Sequence, residues 1–219
     1  MFRKFALPAG AIALAALGYA WMTTPQSGLP AIGEGFVTAA NAAEVEIQEM
    51  SIGNPDAKVE LIEYASYTCS HCKNFHDNVY TKLKPDYIDT GKLHFVYREV
   101  YWDRYALWAG MIARCGGEQR FFGIVDMIFE KQRDWAGAKQ PTEVVEKLRT
   151  IGRAAGLSDG QMDTCLKDAD MAQSLVAWSE ENSKADKVEG TPTLYINGQK
   201  YSNMSYTDLK AILDEKLAE

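Results

Sequence analysis

The chain has 219 residues, of which 47% are hydrophobic and 24% are charged. This composition is ordinary for a folded domain, and it excludes a disordered chain, a collagen-like repeat and a protein with many membrane spans. The net charge of −7 and the lack of a long basic cluster argue against nucleic acid as a partner. Four cysteines are too few to build a small disulfide-rich domain, so their positions carry the information.

The N-terminal residues are typical of an export segment. Two basic residues at positions 3 and 4 precede an uncharged run from 5 to 22, as in a secretory signal. The run is also just long enough to span a bilayer, and the small-residue pattern at 40–42 lies farther downstream than a cleavage site usually does. We therefore expect residues 1–43 to be a signal peptide or a single membrane anchor, followed by a linker. Glycines and a proline within the run favour cleavage, and both alternatives place the rest of the chain outside the cytoplasm.

Strand-like and helical segments alternate in the part of the chain that follows. The patterns predict, in order, a strand at 45–50, a turn at 52–56, a strand at 59–64, a helix from 69 to about 86 and a strand at 92–100. A strand, a helix and a second strand in this order are typical of parallel pairing through a right-handed crossover.

Residues 103–187 contain no strand-like run. Apolar residues at helical spacing predict three helices, a capping box at Ser158 opens a fourth, and residues 169–184 form a fifth. Because consecutive helices cannot lie in a sheet, we expect 103–187 to be an all-helical domain. It would be inserted into a domain formed by residues 44–102 and 188–219.

The strand pattern returns near the C-terminus. Asn197-Gly198 separates two short β-type runs, 193–196 and 199–201, and this dipeptide suits the type I′ turn of a hairpin. Residues 205–217 place apolar side chains on one face of a final amphipathic helix. The whole pattern therefore predicts an α/β fold whose sheet is interrupted by helices.

Cys69-Ser70-His71-Cys72 lies where a predicted strand gives way to a helix. Two cysteines at this spacing can close a small disulfide, and the first projects from the open end of the helix. There the free N–H groups and the positive end of the helix dipole stabilise a thiolate. We interpret Cys69 as the nucleophile, Cys72 as its resolving partner and His71 as a further group that favours the thiolate. A pair whose reduced form is stabilised in this way is a strong oxidant.

Two other interpretations of this motif stay open. In one, Cys69 and Cys72 bind a metal together with His76, which lies four residues after Cys72 on one helical face. In the other, the two cysteines form an inert structural disulfide. Zinc needs three or four ligands and the chain has no second motif of this kind, so we expect no metal and no other cofactor.

Thr191-Pro192 at the start of a predicted strand is unusual, because proline cannot donate to a sheet ladder. A strand, a Cys-x-x-Cys at a helix start and a late Thr-Pro before a hairpin and a final helix resemble the thioredoxin superfamily. The helical insertion, His71 and the export segment resemble the DsbA-type periplasmic thiol:disulfide oxidoreductases. The resemblance covers about residues 45–219, and it implies a thioredoxin-like fold with an inserted all-helical domain.

The resemblance also implies roles for individual residues. Pro192 is expected to be a cis-proline that faces the cysteine pair, and Thr191 to offer its backbone to a substrate peptide. Glu63 matches the family's buried acid, which moves protons to and from Cys72; the alternative is a solvated edge residue. Ser70 and Thr191 depart from the proline and valine found at these places in DsbA itself, and Thr191 is similar to the disulfide isomerases.

Cys115 and Cys165 both fall in the predicted helical insertion. In an exported domain two further cysteines are more often paired than free, so we expect a structural disulfide between them. The alternative is a pair of buried free thiols, which are common in protein cores.

These observations favour a periplasmic enzyme that donates the Cys69–Cys72 disulfide to reduced, newly exported client proteins. We expect a monomer, because residues 23–44 are too short for the dimerisation module that isomerases of this type usually carry. The resemblance implies that a quinone-linked membrane oxidase of the DsbB type regenerates the disulfide. The alternatives are a disulfide isomerase or reductase of the same fold and, in a different class, a periplasmic metal-binding module that uses Cys69, Cys72 and a histidine.

Overall fold

The structure is a computed structural model that describes residues 45–219. The predicted export segment at 1–43 lies outside the described residues. Within residues 45–219, no helix is both long enough and apolar enough to cross a membrane.

A five-stranded mixed sheet forms the centre of the described chain. Its strands are β1 (Met50–Gly53), β2 (Val59–Ala65), β3 (Leu93–Glu99), β4 (Thr193–Ile196) and β5 (Gln199–Ser202). They lie in the order β1-β3-β2-β4-β5, so β2 is the middle strand. The pairing of β2 with β3 is parallel, which confirms the prediction, and the other three pairings are antiparallel.

The first strand differs from the prediction. The strand expected at 45–50 begins only at Met50 and continues to Gly53, through residues expected to form a turn. Its antiparallel pairing with β3, from Met50 opposite Tyr97 to Gly53 opposite His94, sets these bounds. The strand ends at Gly53, where φ is +99° and a Cβ atom would lie 2.2 Å from the carbonyl oxygen of Leu93. Only glycine fits that position.

Residues 70–88 form one continuous helix, α1, that connects β2 to β3. It has α-helical turns at Ser70–Phe75 and Thr81–Leu83 and π-helical turns at His76–Tyr80 and Lys84–Ile88. Residues 69–86 were predicted to be helical, but the sequence pattern did not predict the π-helical turns. Such turns are uncommon and often occur at functional sites.

Helices occupy the described stretch between β3 and β4: α2 (Arg104–Cys115), α3 (Glu118–Glu130), α4 (Gln132–Trp135), α5 (Pro141–Ala154), α6 (Asp159–Lys167) and α7 (Ala169–Ala185). The five predicted helices are present, and the capping box of Ser158 with Gln161 is confirmed. The short helix α4 was not predicted. It is held by Trp135, which is fully buried and donates its indole N–H to the carbonyl of Ile128 at 2.8 Å.

The C-terminal hairpin and helix agree with the prediction. Asn197 and Gly198 have φ values of +47° and +79°, as a type I′ turn requires, and they join β4 to β5. The final helix, α8 (Tyr206–Ala218), begins after Ser205, whose side chain accepts a hydrogen bond from the N–H of Asp208.

The loops after β2 and β3 lie side by side at one edge of the sheet, since both strands run in the same direction. The N–H of Val100 donates to the carbonyl of Ala65 at 2.8 Å, which ties the two strand ends together. A buried ion pair between Glu99 and Arg114, 2.6 Å apart, holds α2 against the end of β3. The fold therefore brings the residues around Cys69 and around Asp103 to one place.

Candidate active site

Cys69 is the N-terminal capping residue of α1 and lies four residues beyond the end of the middle strand. Its N–H donates to the carbonyl of Ser66 at 3.1 Å, and its carbonyl accepts from the N–H of Lys73 at the same distance. The thiol is half-buried, whereas Cys72, one helical turn later, is completely buried. The pair thus presents one accessible sulfur and one enclosed sulfur.

The surroundings of Cys69 stabilise its thiolate. The pKa of Cys69 is lowered to about 5, chiefly by a hydrogen bond from the thiol of Cys72, against an opposing effect of burial. The backbone N–H groups of Cys72 and His71 contribute further. These backbone donors are the free N–H groups at the start of α1, so the helix terminus acts as the sequence predicted.

Cys72 is held in the opposite state, as a neutral thiol. Burial is the main reason that its pKa is raised far above that of a free thiol, and the hydrogen bond to Cys69 and the charge of Glu63 add to the effect. At neutral pH the pair therefore consists of a Cys69 thiolate and a Cys72 thiol. Attack on the disulfide at the accessible Cys69 sulfur leaves the electrons on Cys72, which then needs a proton.

Thr191 and Pro192 lie directly against the reactive sulfur. The peptide bond between them is cis, and the Sγ of Cys69 lies 3.3 Å from the carbonyl oxygen of Thr191. Pro192 is buried, and the Thr193 hydroxyl donates to the carbonyl of Gly190 at 2.6 Å, which fixes the turn that leads into β4. The loop before β4 therefore forms one wall of the site.

Glu63 lies inside the protein and not at a solvated edge. It is on β2, opposite Tyr97 on β3 and Leu194 on β4, and only 4% of its surface is exposed. Burial raises the pKa of its carboxyl to about 8, and the charge of Cys69 adds to the shift. Near neutral pH the group therefore holds a proton that it can exchange.

The two histidines of this region lie apart from each other. His71 is exposed, and its backbone N–H, not its ring, is among the leading causes of the low pKa of Cys69. His76 is directed toward α3, with its Nε2 3.3 Å from a carboxylate oxygen of Asp126. Within residues 45–219, no three His, Cys, Asp or Glu side chains are grouped as metal ligands.

Two residues from the helical segment hold the loop before Cys69, and neither was among the predicted site residues. The buried side-chain amide of Gln132 donates to the carbonyls of Tyr67 and Cys69, each at 2.8 Å. Asp103 accepts from the hydroxyl of Thr68 at 2.6 Å while it caps the N-terminus of α2. Gln132 lies on the short helix that the sequence pattern did not reveal, and no motif marks it. Asp103 had a signal, because it lies three residues after the strand predicted at 92–100.

Cys115 and Cys165 are disulfide-bonded in the structure, with their Cα atoms 5.9 Å apart. The bond joins the end of α2 to α6, away from the Cys69–Cys72 pair, which is free.

A reactive sulfur and a protonated, enclosed sulfur one helical turn apart are what thiol–disulfide exchange requires. The fold and the site together define a thiol:disulfide oxidoreductase built on a sheet of the thioredoxin type. Comparison with known proteins agrees with this class. A family model described as thioredoxin matches residues 46–215.

Sequence relatives carry related names. A Rickettsia bellii protein named as a protein-disulfide oxidoreductase is 32% identical over 177 residues, which cover 80% of this chain and 67% of the relative. Disulfide bond formation protein D of Bacillus subtilis is 24% identical over 182 residues, which cover 76% of each chain. The chain spans 63% to 67% of the length of the Rickettsia relatives.

The fold is also that of a solved relative. The crystal structure of alpha-DsbA1 from Wolbachia pipientis superposes with a TM-score of 0.73 at 24% sequence identity, covering 80% of this chain and 94% of the other. The chain therefore belongs to the thioredoxin family and, with its Rickettsia bellii relative, to the protein-disulfide oxidoreductases. Its α/β sheet with helices between β3 and β4 is the thioredoxin-like fold that the sequence predicted.

Proposed function

We propose that the protein oxidises reduced client proteins in the periplasm by donating its Cys69–Cys72 disulfide. The observation that carries this proposal is the contrast within the pair: the pKa of Cys69 is about 5, whereas that of the buried Cys72 is strongly raised. A stabilised Cys69 thiolate favours the reduced enzyme, and an enzyme that favours its own reduced form is an oxidant.

The proposed reaction has two exchange steps. A client thiolate attacks the Sγ of Cys69, the disulfide breaks, and Cys72 leaves as a thiolate that takes a proton from Glu63. A second client thiolate then attacks the client sulfur of the mixed disulfide, and Cys69 leaves as a stable thiolate. The client loses two electrons and gains a disulfide, and the enzyme gains those two electrons.

We assign the surrounding residues by their positions. The carbonyl of Thr191, at the cis-Pro192, faces the reactive sulfur, so an extended client segment would pair with the Thr191 backbone as an added strand. His71, exposed beside the pair, contributes its N–H and offers its ring to the client or to an oxidising partner. The Cys115–Cys165 disulfide is structural and takes no part in exchange.

Export and regeneration belong to the same proposal. Residues 1–43 would direct or anchor the chain, and residues 44–102 with 188–219 would form the redox domain around the helical insertion at 103–187. A quinone-linked membrane oxidase of the DsbB type would restore the disulfide, and the enzyme would act as a monomer.

The experiment mixes the oxidised protein with a reduced peptide that contains two cysteines. We expect wild type to oxidise the peptide and Cys69→Ser to be inactive. Cys72→Ser cannot form the Cys69–Cys72 bond, so it is mixed instead with an excess of glutathione disulfide; the Cys69 thiolate then attacks this disulfide, glutathione thiol leaves, and a mixed disulfide through Cys69 accumulates. Undiminished oxidation by Cys69→Ser would overturn the proposal. The equilibrium of the pair with glutathione separates the alternatives, because a strongly reducing potential would indicate a reductase, and reshuffling of a scrambled disulfide protein would indicate an isomerase.

A further inference from the structure

A cavity that opens to solvent lies beside α1, and Cys69 and Cys72 are not among the residues that line it. Its volume is about 350 Å³, and it lies between the first π-helical turn of α1 and the end of α3. Seven residues line it: His76, Asp77, Tyr80, Thr81, Lys84, Asp126 and Glu130. None of these residues has a part in the exchange reaction described above.

Tyr80 connects this cavity with the interior. Its ring stacks on His76 with the centroids 4.8 Å apart and contacts Phe95 with the centroids 5.3 Å apart. Phe95 pairs with Leu61 in the register that also places Tyr97 opposite Glu63, so Tyr80 covers the sheet face on which Glu63 lies. The residue is 4% exposed, and its hydroxyl has no hydrogen-bond partner among the described residues.

An unpartnered buried hydroxyl is costly, because the group has lost its hydrogen bonds to water. Such groups in native proteins are commonly satisfied by an internal water molecule. Two of them, the hydroxyls of Tyr80 and Tyr97, belong to residues on which the charge of the buried Glu63 acts. This arrangement suits a short chain of hydroxyl, water and carboxyl.

The end of this series of groups that lies at the cavity is also polar. His76 Nε2 and Asp126 Oδ1 are 3.3 Å apart at the cavity, and this Asp126 oxygen makes no aligned hydrogen bond within residues 45–219. The side chain of Asp126 is 42% exposed, whereas that of His76 is 12% exposed. The pair therefore spans the distance from solvent to the ring of Tyr80.

We propose that Tyr80 and the His76–Asp126 pair form a proton path that connects Glu63, and through it Cys72, with solvent in this cavity. The inference rests on the proposed function, in which Glu63 exchanges a proton with Cys72. A tyrosine hydroxyl passes a proton by accepting one and donating its own, so it stays neutral throughout. The proton leaves the solvent, replaces the one that Glu63 gave to the Cys72 thiolate, and returns by the same path when Cys72 is oxidised again.

Charged and titratable groups surround both Tyr80 and Glu63. Burial raises the pKa of Tyr80, and the charges of Asp126 and Glu63 raise it further. Glu63 is faced by Cys69 and Cys72 from α1 and by Tyr97 from β3, and the cavity also carries Asp77, Lys84 and Glu130.

The test uses the pH dependence of disulfide reduction in the full-length oxidised protein. An excess of dithiothreitol is mixed rapidly with the protein between pH 6 and pH 9.5, and acid quenching followed by alkylation and mass spectrometry counts the free thiols of Cys69 and Cys72. Because the pKa of Glu63 is about 8, the carboxyl is already loaded with a proton at low pH and must be refilled from solvent at high pH.

Tyr80→Phe keeps the ring and removes only the hydroxyl. We expect its rate to equal that of wild type below pH 7 and to be roughly 5- to 10-fold lower above pH 8.5, and we expect high concentrations of imidazole to restore it. Asp126→Asn, at the exposed end, should show the same pH-selective loss. The matched control is Tyr97→Phe, which removes the other unpartnered hydroxyl near Glu63 but does not line the cavity.

Three outcomes overturn the path: wild-type profiles for both Tyr80→Phe and Asp126→Asn, an equal loss at all pH values, or the same loss in Tyr97→Phe. Glu63→Gln distinguishes failure of the path from failure of the proposed function. If Glu63→Gln alters the profile and the two path variants do not, only the path is wrong. If Glu63→Gln also leaves the profile unchanged, the proposed role of Glu63 is wrong.

Discussion

Two thiols separated by a single helical turn are held in opposite protonation states. Cys69 caps the helix and receives hydrogen bonds, so its charged form is favoured, whereas Cys72 is enclosed and its charged form is not. Their shared hydrogen bond lowers one pKa and raises the other. The asymmetry therefore comes from where the helix begins, since shifting its start by one residue would remove the backbone donors from Cys69.

Glu63→Gln tests the buried carboxyl through stability. The folded-state pKa of Glu63 is about 8, above its ordinary value of 4.5, so its ionisation destabilises the fold. The stabilising contribution of the protonated carboxyl is complete below pH 4.5 and is lost as the pH rises toward 8. Glutamine does not titrate, so we expect the unfolding free energy of the variant, relative to wild type, to rise by roughly 3 kcal/mol between pH 4.5 and pH 7. Urea unfolding of the reduced proteins at several pH values measures this difference.

Glu60→Gln is the control for this experiment. Glu60 lies on the same strand, but its side chain is 45% exposed beside His94. We expect its stability relative to wild type to change by less than about 1 kcal/mol over the same pH range, because exposed pairs contribute little. A flat profile for Glu63→Gln would show that the carboxyl titrates normally and would remove the reason to assign it the proton of Cys72.

Two structural elements meet at the active-site loop, and they come from different parts of the chain. The start of α1 supplies Cys69, and the start of α2 supplies Asp103, which both caps its own helix and accepts from Thr68. Gln132 on α4 binds the carbonyls on either side of Thr68. The helical segment therefore supports the loop that carries Cys69.

Local sequence signals predicted most of these elements. Asn197-Gly198 predicted the hairpin, because these two residues alone set the dihedral angles of its turn. The capping box at Ser158 predicted the start of α6. The start of β1 depends on its pairing with β3, and α4 depends on the burial of Trp135, so local patterns could not show them. The contacts of Gln132 and Asp126 join segments far apart in the chain, and one sequence contains no signal for such contacts.

Asp103→Ala separates the capping role from the role at the loop. The variant loses acceptors for the N–H groups of Tyr105 and Ala106 and for the Thr68 hydroxyl. We expect the unfolding free energy to fall by about 1–2 kcal/mol and the pKa of Cys69 to rise toward that of a free thiol, because the loop is less well held. Thermal unfolding and the pH dependence of Cys69 alkylation measure the two effects.

Asp168→Ala provides a matched variant. Asp168 caps α7 by accepting from the N–H of Met171, and it makes no contact with the loop. We expect a similar loss of stability, on the order of 1 kcal/mol, with an unchanged alkylation profile. If both variants changed the alkylation of Cys69 equally, a general loss of stability would explain the effect and the contact with Thr68 would have no separate role.

At the scale of the whole molecule, the helical segment is attached to the rest in two ways. The buried Glu99–Arg114 pair fixes α2 to the sheet, and the next residue, Cys115, fixes α2 to α6 through its disulfide. The bond spans a separation of 50 residues, and a loop of this length has much conformational entropy when unfolded. Its effect should therefore be on the stability of the fold and not on the chemistry of the other two cysteines.

Replacing Cys115 and Cys165 together with alanine tests this division of roles. We expect the unfolding free energy to fall by up to about 4 kcal/mol, the value that loop closure gives for this separation, and the rate of peptide oxidation to stay within about twofold of wild type under conditions where both proteins are folded. Urea unfolding with and without dithiothreitol measures the loss of unfolding free energy. It is done in proteins that also carry Cys69→Ala and Cys72→Ala, so that the Cys115–Cys165 bond is the only one that the reductant can break. In that background dithiothreitol should destabilise the protein with Cys115 and Cys165 and leave the double-alanine variant unchanged. A large loss of oxidation rate in the folded variant would show that the bond controls the active site as well, and that the four cysteines act together.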